Sequence, residues 1–264
     1  MAPEEHGATA REHWHVAGVS VRGGSHIKRG QPCQDSHVWR ELPGCAVIMA
    51  AADGAGSAVL SQLGSARAAI AAVEWVSELM RDAWPTNEQE WRALLTAALE
   101  TAHDSVLNAA KKRQVTPREL ATTLILAIAT PNMVTAAQVG DGAAIARCAD
   151  DSLIAVTAPQ SGEYINETIF FTSPTYLEAA QYGYWEGPVT GLSVLSDGLQ
   201  LLALNMPGGT PFPAFFTPLF QYLAASDDLH QAEQQLRSFL GSPRIQQRAD
   251  DDLTLVLGAL HKPE

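Results

Sequence analysis

Cys45-Ala46-Val47-Ile48-Met49-Ala50-Ala51-Ala52-Asp53-Gly54 is an apolar run that stops on an acid and a glycine. A short run of this kind, closed by a turn signal, reads as a buried strand. The stretch after it has another period. Over residues 61–81, Leu63, Ala66, Ile70, Val73, Val76 and Met80 recur at three- and four-residue steps, which predicts one face of a helix. A buried strand thus carries Asp53 to the end of a sheet, and a long helix leads the chain away.

The same ending recurs. Strand-like residues 133–139 lead to Gly140-Asp141-Gly142, and residues 191–195 lead to Ser196-Asp197-Gly198. Asp250-Asp251-Asp252 opens a last strand over 253–260, and Asp35 closes the polar loop Gly30-Gln31-Pro32-Cys33-Gln34. Carboxylate oxygens suit hard cations such as Mg²⁺ or Mn²⁺. A strand end holds them on rigid backbone, and a following glycine lets a carbonyl or ligand come close. Asp-Gly is also the commonest two-residue hairpin turn, and residues 133–139 and 143–148 around Asp141-Gly142 look like a plain hairpin.

The rest of the chain sets the architecture. Residues 14–21 read as a strand, then a turn at Arg22-Gly23-Gly24. After Pro85, Thr86-Asn87-Glu88-Gln89 has the form of a capping box. It opens a second helix whose face is Trp91, Leu94, Leu95, Ala98, Ala102 and Val106. Further strands are expected at 122–130, 143–148 and 153–157, and helices at 215–225 and 229–240. Ser226 is the expected N-cap of the last helix, and Gly241 stands just past its end. Residues 158–187 have no clean period. Blocks of strands and blocks of helices with short connections predict an α+β fold with antiparallel sheets.

Composition narrows the function. The 264 residues are 46% hydrophobic and 17% charged, with a net charge of −12. So acidic a surface repels nucleic acid and anionic membranes. No apolar run reaches the roughly 18 residues of a membrane span, and the N-terminus has no apolar signal core. Cys33, Cys45 and Cys148 share no paired spacing, so reduced thiols and a cytoplasmic location are expected. Residues 1–12 read as a disordered N-terminus and 13–261 as a single domain.

Six segments in order carry a resemblance. They are Ser25-His26-Ile27-Lys28-Arg29-Gly30-Gln31-Pro32-Cys33-Gln34-Asp35, Ala52-Asp53-Gly54-Ala55-Gly56-Ser57, Ala121-Thr122-Thr123-Leu124, Val139-Gly140-Asp141-Gly142, Leu195-Ser196-Asp197-Gly198 and Asp251-Asp252-Leu253-Thr254. Together they resemble the metal-dependent protein phosphatases of the 2C type, in particular the small bacterial members, over nearly the whole length. The resemblance implies a four-layer α-β-β-α sandwich, two antiparallel sheets flanked by helices, with metals at one end. It also implies hydrolysis of phosphoserine or phosphothreonine by a water activated between two Mn²⁺ or Mg²⁺ ions.

Carried over residue by residue, Asp53 bridges the two ions and the carbonyl of Gly54 takes part. Asp197 and Asp251 complete the first ion, Asp35 reaches metal water, and Asp141 helps to hold a weaker third ion. Gly30 stands where the family often has an arginine that grips phosphate, so Arg29 and His26 are the nearest candidates. Ala55 stands where animal members have a histidine, which leaves protonation of the leaving group to water. Asp252 stands where many members have asparagine. Gly162-Glu163-Tyr164-Ile165-Asn166-Glu167-Thr168, within a flap-like insert over 158–187, resembles the segment that meets substrate, with Tyr164, Asn166 and Thr168 as contacts. The implied partners are a phosphorylated protein and a cognate serine/threonine kinase or its targets.

Other chemistries fit less well. Asp250-x-Asp252-x-Thr254 matches the nucleophile motif of haloacid-dehalogenase-like phosphatases, but only ten residues follow Thr254. None of the three cysteines has Arg six positions later, and no Gly-x4-Gly-Lys or Gly-x-Ser-x-Gly occurs. The eight histidines show no His-x-x-x-His spacing, and His13 and His15 read as polar positions near a strand start. The rival from another class is a catalytically weak or inactive relative that binds phosphoproteins as a regulatory module. Loss of a direct metal aspartate would favour it, and Asp53, Asp197 and Asp251 are all present.

Overall fold

A computed structural model describes residues 12–159 and 169–261. Strand β1 (His13–Val21), the short helix α1 (Gly24–Arg29), β2 (Ser36–Leu42) and β3 (Ala46–Ala52) come first. The long helices α2 (Ser61–Leu79) and α3 (Glu88–Arg113) follow, then β4 (Leu124–Thr130), β5 (Met133–Val139), β6 (Ala143–Cys148) and β7 (Leu153–Thr157). After β8 (Gln181–Glu186) and β9 (Val189–Leu195) come α4 (Gln200–Ala203), β10 (Leu204–Asn205) and β11 (Thr210–Pro211). Helices α5 (Pro213–Ala224), α6 (Leu229–Leu240) and α7 (Pro243–Gln246) lead to β12 (Leu253–His261).

Two five-stranded antiparallel sheets result, ordered β1-β12-β9-β6-β7 and β2-β3-β4-β5-β8. Alternation within each strand builds the layers. On β3, Ala46, Ile48, Ala50 and Ala52 join the core under α2 and α3, while Val47, Met49 and Ala51 face the other sheet. On β12, Leu253, Leu255, Leu257 and Ala259 pack with α5 and α6, and Val256 and Leu260 face inward. Both faces of these strands are buried, which is why they are written as unbroken apolar runs. The expected α+β sandwich is the observed one.

Several local readings move. The buried face of α2 is Gly64, Ala68, Ala69, Ala72, Val73 and Val76, and Ile70 is 40% exposed. Small side chains let α2 lie close: a Cβ at Gly64 would stand 2.1 Å from the Leu120 carbonyl oxygen. The cap of α3 sits one residue later than expected. Asn87 accepts from the Glu90 N–H at 3.0 Å, and the Glu90 carboxylate accepts from the Thr86 N–H and hydroxyl. Asp228, not Ser226, caps α6, because its carboxylate reaches the Gln231 N–H. Asp141-Gly142 is no hairpin, since β5 and β6 belong to different sheets. The crossing needs glycine at Gly142, where a Cβ would meet the Leu195 carbonyl oxygen at 2.3 Å.

Candidate metal centre

Three segments deliver three carboxylates to one point. Asp53 follows β3, Asp141 lies in the crossing from β5 to β6, and Asp197 opens a 3-10 turn after β9. One oxygen of each lies within 4.8 Å of one oxygen of each of the others. Because β3 and β9 belong to different sheets, the group closes one end of the sandwich.

Each aspartate is held through its backbone. The Asp53 N–H donates to Thr123 Oγ1 at 2.9 Å, and its carbonyl accepts from the Thr122 hydroxyl and the Thr123 N–H, both at 2.8 Å. The Thr-Thr pair is therefore a clamp on Asp53. Buried Gln138 donates to the carbonyls of Gly140 at 3.0 Å and Gly142 at 2.8 Å, and Gln200 donates to that of Asp141. Next to Asp197, Ser196 trades two bonds with Thr254: its N–H donates to the Thr254 carbonyl, and its hydroxyl accepts the Thr254 N–H.

The electrostatics are those of crowded, partly dehydrated acids. Burial, then the charges of Asp53, Asp141 and Asp251, push Asp197 up to about 8. Burial, then Asp35, Asp251 and Asp141, hold Asp53 well above the usual carboxylate range. Burial also lifts Asp35 to about 7, with Asp53, Thr254 and Ser196 pulling it part of the way back. Like charges this close disfavour full ionisation. Asp197 Oδ1 is buried with no hydrogen-bond partner among the described residues. An all-oxygen group with an orphaned buried oxygen and excess negative charge fits a hard divalent cation.

The other candidates take distinct places. Asp251 is exposed at the start of β12 and acts on Asp53 and Asp197 from the rim, outside the group that includes Asp141. Gly54 is buried against Gln34 and Ser61, and a Cβ there would stand 2.5 Å from the Gln34 carbonyl oxygen. Arg29 is exposed at the end of α1 and makes no ion pair with these aspartates. His26 is turned inward, 3% exposed, with Nδ1 2.8 Å from Asp252 Oδ1. Its position suits support of the loop, not a grip on phosphate.

Asp252 has a role that its place in a motif did not reveal. Its Oδ1 accepts from the Gly23 N–H at 2.7 Å and its Oδ2 from the Gln34 N–H at 2.6 Å. The Gln34 carbonyl in turn accepts from Ser65 of α2 at 2.6 Å. One carboxylate thus fastens α1 and the loop that carries Asp35 onto β12. The only hint in the sequence was an acid beside Asp251.

Tyr164, Asn166 and Thr168 lie outside the described residues. Those that follow are committed to the body of the protein. Phe171 and Tyr176 join the core under α3, where Tyr176 stacks on His103 at 4.1 Å. Residues 181–186 form the edge strand β8.

A family model described as "Protein phosphatase 2C" matches residues 22–241. Serine/threonine-protein phosphatase 3 of Escherichia coli K12 is 30% identical over 251 residues, 92% of this chain and 97% of that protein. The catalytic domain of the serine/threonine phosphatase PstP, solved with two manganese ions, aligns with a TM-score of 0.64 at 16% identity, over 96% of this chain and all of that one. PppA, described as a key regulatory component of the T6SS in Pseudomonas aeruginosa, aligns with a TM-score of 0.61 at 17% identity, over 95% and 100%. At such identities the two structures show a likeness of fold. Among the described residues, no helix is long and apolar enough to cross a membrane.

Proposed function

The chain belongs to the protein phosphatase 2C family, and from that premise we propose that it hydrolyses phosphoserine and phosphothreonine in proteins with the help of Mn²⁺ or Mg²⁺. The observation that carries the reading is the meeting of Asp53, Asp141 and Asp197 around the unsatisfied Asp197 Oδ1. Asp53, Asp197, Asp251 and the Gly54 carbonyl would hold two ions, and Asp141 would serve a third. Bound there, such ions lower the pKa of a water and balance charge on the phosphoryl oxygens.

The chain's own residues do the rest. Asp35, buried beside Ser196 and Thr254, is the residue proposed to act on metal-bound water. The Thr122–Thr123 clamp and Gln138 keep the aspartates from drifting apart. Arg29 is the cation proposed to meet phosphate, and residues 162–168, within the flap-like insert over 158–187, the segment proposed to meet the protein substrate. Residues 13–261 act as one domain in this reading, and the phosphoprotein comes from a serine/threonine kinase that the enzyme opposes.

The test is turnover of a phosphothreonine peptide and of p-nitrophenyl phosphate with Mn²⁺, with Mg²⁺ and with EDTA. Activity should need a divalent ion. Asp197→Asn should lose about 100-fold or more in kcat, and with it most of the Mn²⁺-induced rise in Tm. That rise reflects about 2.7 kcal/mol at a hundredfold excess over Kd. Full turnover in EDTA, or an Asp197→Asn variant with unchanged activity and Tm shift, overturns the proposal.

A further inference from the structure

β1 and β12 pair over their whole length, with Val21 opposite Leu253 near the aspartates and His13 opposite His261 at the other end. Eight steps at about 3.3 Å each separate the two ends by about 26 Å. At the far end three imidazoles meet. His13 and His15 share a face of β1, two residues apart, and His261 comes from the facing strand. One ring nitrogen of each lies within 4.8 Å of one of each of the others.

The backbone selects which nitrogens meet. His15 Nδ1 lies 3.2 Å from the Leu223 carbonyl oxygen, and His261 Nδ1 lies 3.4 Å from that of Ala224. Each carbonyl accepts only an N–H, so both rings carry their proton on Nδ1 and keep the lone pair on Nε2. Donation of one ring N–H to a carbonyl while the other nitrogen faces its partner is the usual support of a metal-bound histidine. His15 Nε2 stands 3.1 Å from His13 Nε2. Two nitrogens on a tetrahedral Zn²⁺ at about 2.0–2.1 Å stand about 3.3 Å apart, so this pair is already at ligand spacing. The His261 nitrogen needs a movement of about 1.5 Å at most.

Two further features fit a cation. Burial, ahead of the neighbouring imidazoles, lowers the pKa of His15 and keeps it neutral, as a ligand must be. Asp227 acts on His15 and Glu41 interacts with His13, so acids border the cluster. We propose that His13, His15 and His261 form a separate, all-imidazole site that takes one transition ion of the Zn²⁺ class, with a fourth position left to water. The donors set the choice: imidazole suits Zn²⁺, Cu²⁺ and Ni²⁺, whereas the carboxylate group at the other end suits Mg²⁺ and Mn²⁺. Such an ion ties the start of β1 to the end of β12 and, through two carbonyls, to the end of α5.

The test is a Zn²⁺ titration of the full chain in excess Mg²⁺, which occupies oxygen sites and leaves imidazoles open. One Zn²⁺ per chain is expected. His13→Ala, at an exposed position, and His261→Ala should each weaken it at least tenfold, and both should keep wild-type phosphatase activity in Mg²⁺. Co²⁺ should give the visible absorption of a four-coordinate ion in the wild type and lose it in both variants. Zn²⁺ uptake that persists in both variants overturns the site. Uptake abolished by Asp197→Asn but kept in His13→Ala would put the ion at the aspartates and overturn it equally.

Discussion

A carboxylate that accepts two buried backbone N–H groups cannot be removed without stranding both. Asp252→Ala leaves the Gly23 and Gln34 N–H groups without their acceptor and removes the carboxylate beside His26. Each stranded buried donor costs about 1–3 kcal/mol. A total loss of about 3 kcal/mol is expected, read as a lower denaturant midpoint, together with a fall in kcat because the Asp35 loop comes loose. Wild-type stability would show that Asp252 is not the latch. Asp53, Asp141 and Asp197 were readable as candidate ligands because each follows an apolar strand and has a glycine after it. The latch was not, because its partners are backbone groups more than two hundred residues away in the chain. The same distance hid the meeting of His13 and His15 with His261.

Elements written as apolar runs announced themselves, and those without such a run stayed silent. β2 and β8 are the two edge strands of the second sheet. Each is largely half-exposed and carries no apolar run. α1, with six residues, is too short for a period to register. The face of α2 departs from the expected one chiefly at Ile70, because the alanines that let the helix approach carry little apolar signal. The two faces predict opposite outcomes. Ala69→Leu should overpack and cost about 1–3 kcal/mol, while Ile70→Ala, on the exposed side, should change stability by less than about 0.5 kcal/mol. Urea unfolding of both variants checks this, and the reverse ranking would mean that the helix is turned otherwise.

For the whole molecule, the acids near Asp53 link stability to pH. Asp35 at about 7 and Asp197 at about 8 hold protons in the folded, metal-free chain that the unfolded chain releases near pH 4. Between those values the folded state binds more protons, so stability falls as pH rises. His15, which is buried, and the half-buried His37 and His103, all with pKa values lowered by burial, act in the opposite sense below about pH 6.5. The window to read is therefore pH 7 to 8.5. In EDTA the wild-type Tm should fall across it, and the fall should be smaller in Asp197→Asn and with Mn²⁺. An identical slope in both proteins would show that the cluster does not govern it.

The position of β12 has a consequence for synthesis. It lies between β1 and β9 in its sheet, yet follows both in the chain. While a ribosome is still making the helices before it, β1 and β9 have no strand between them, and Asp251 and Asp252 have yet to be translated. The nascent chain can assemble the second sheet with α2 and α3, since β2 through β8 are already made. It cannot close the first sheet until β12 threads into the waiting gap. The closure of the first sheet and the placing of Asp251 and Asp252 therefore wait on the same strand.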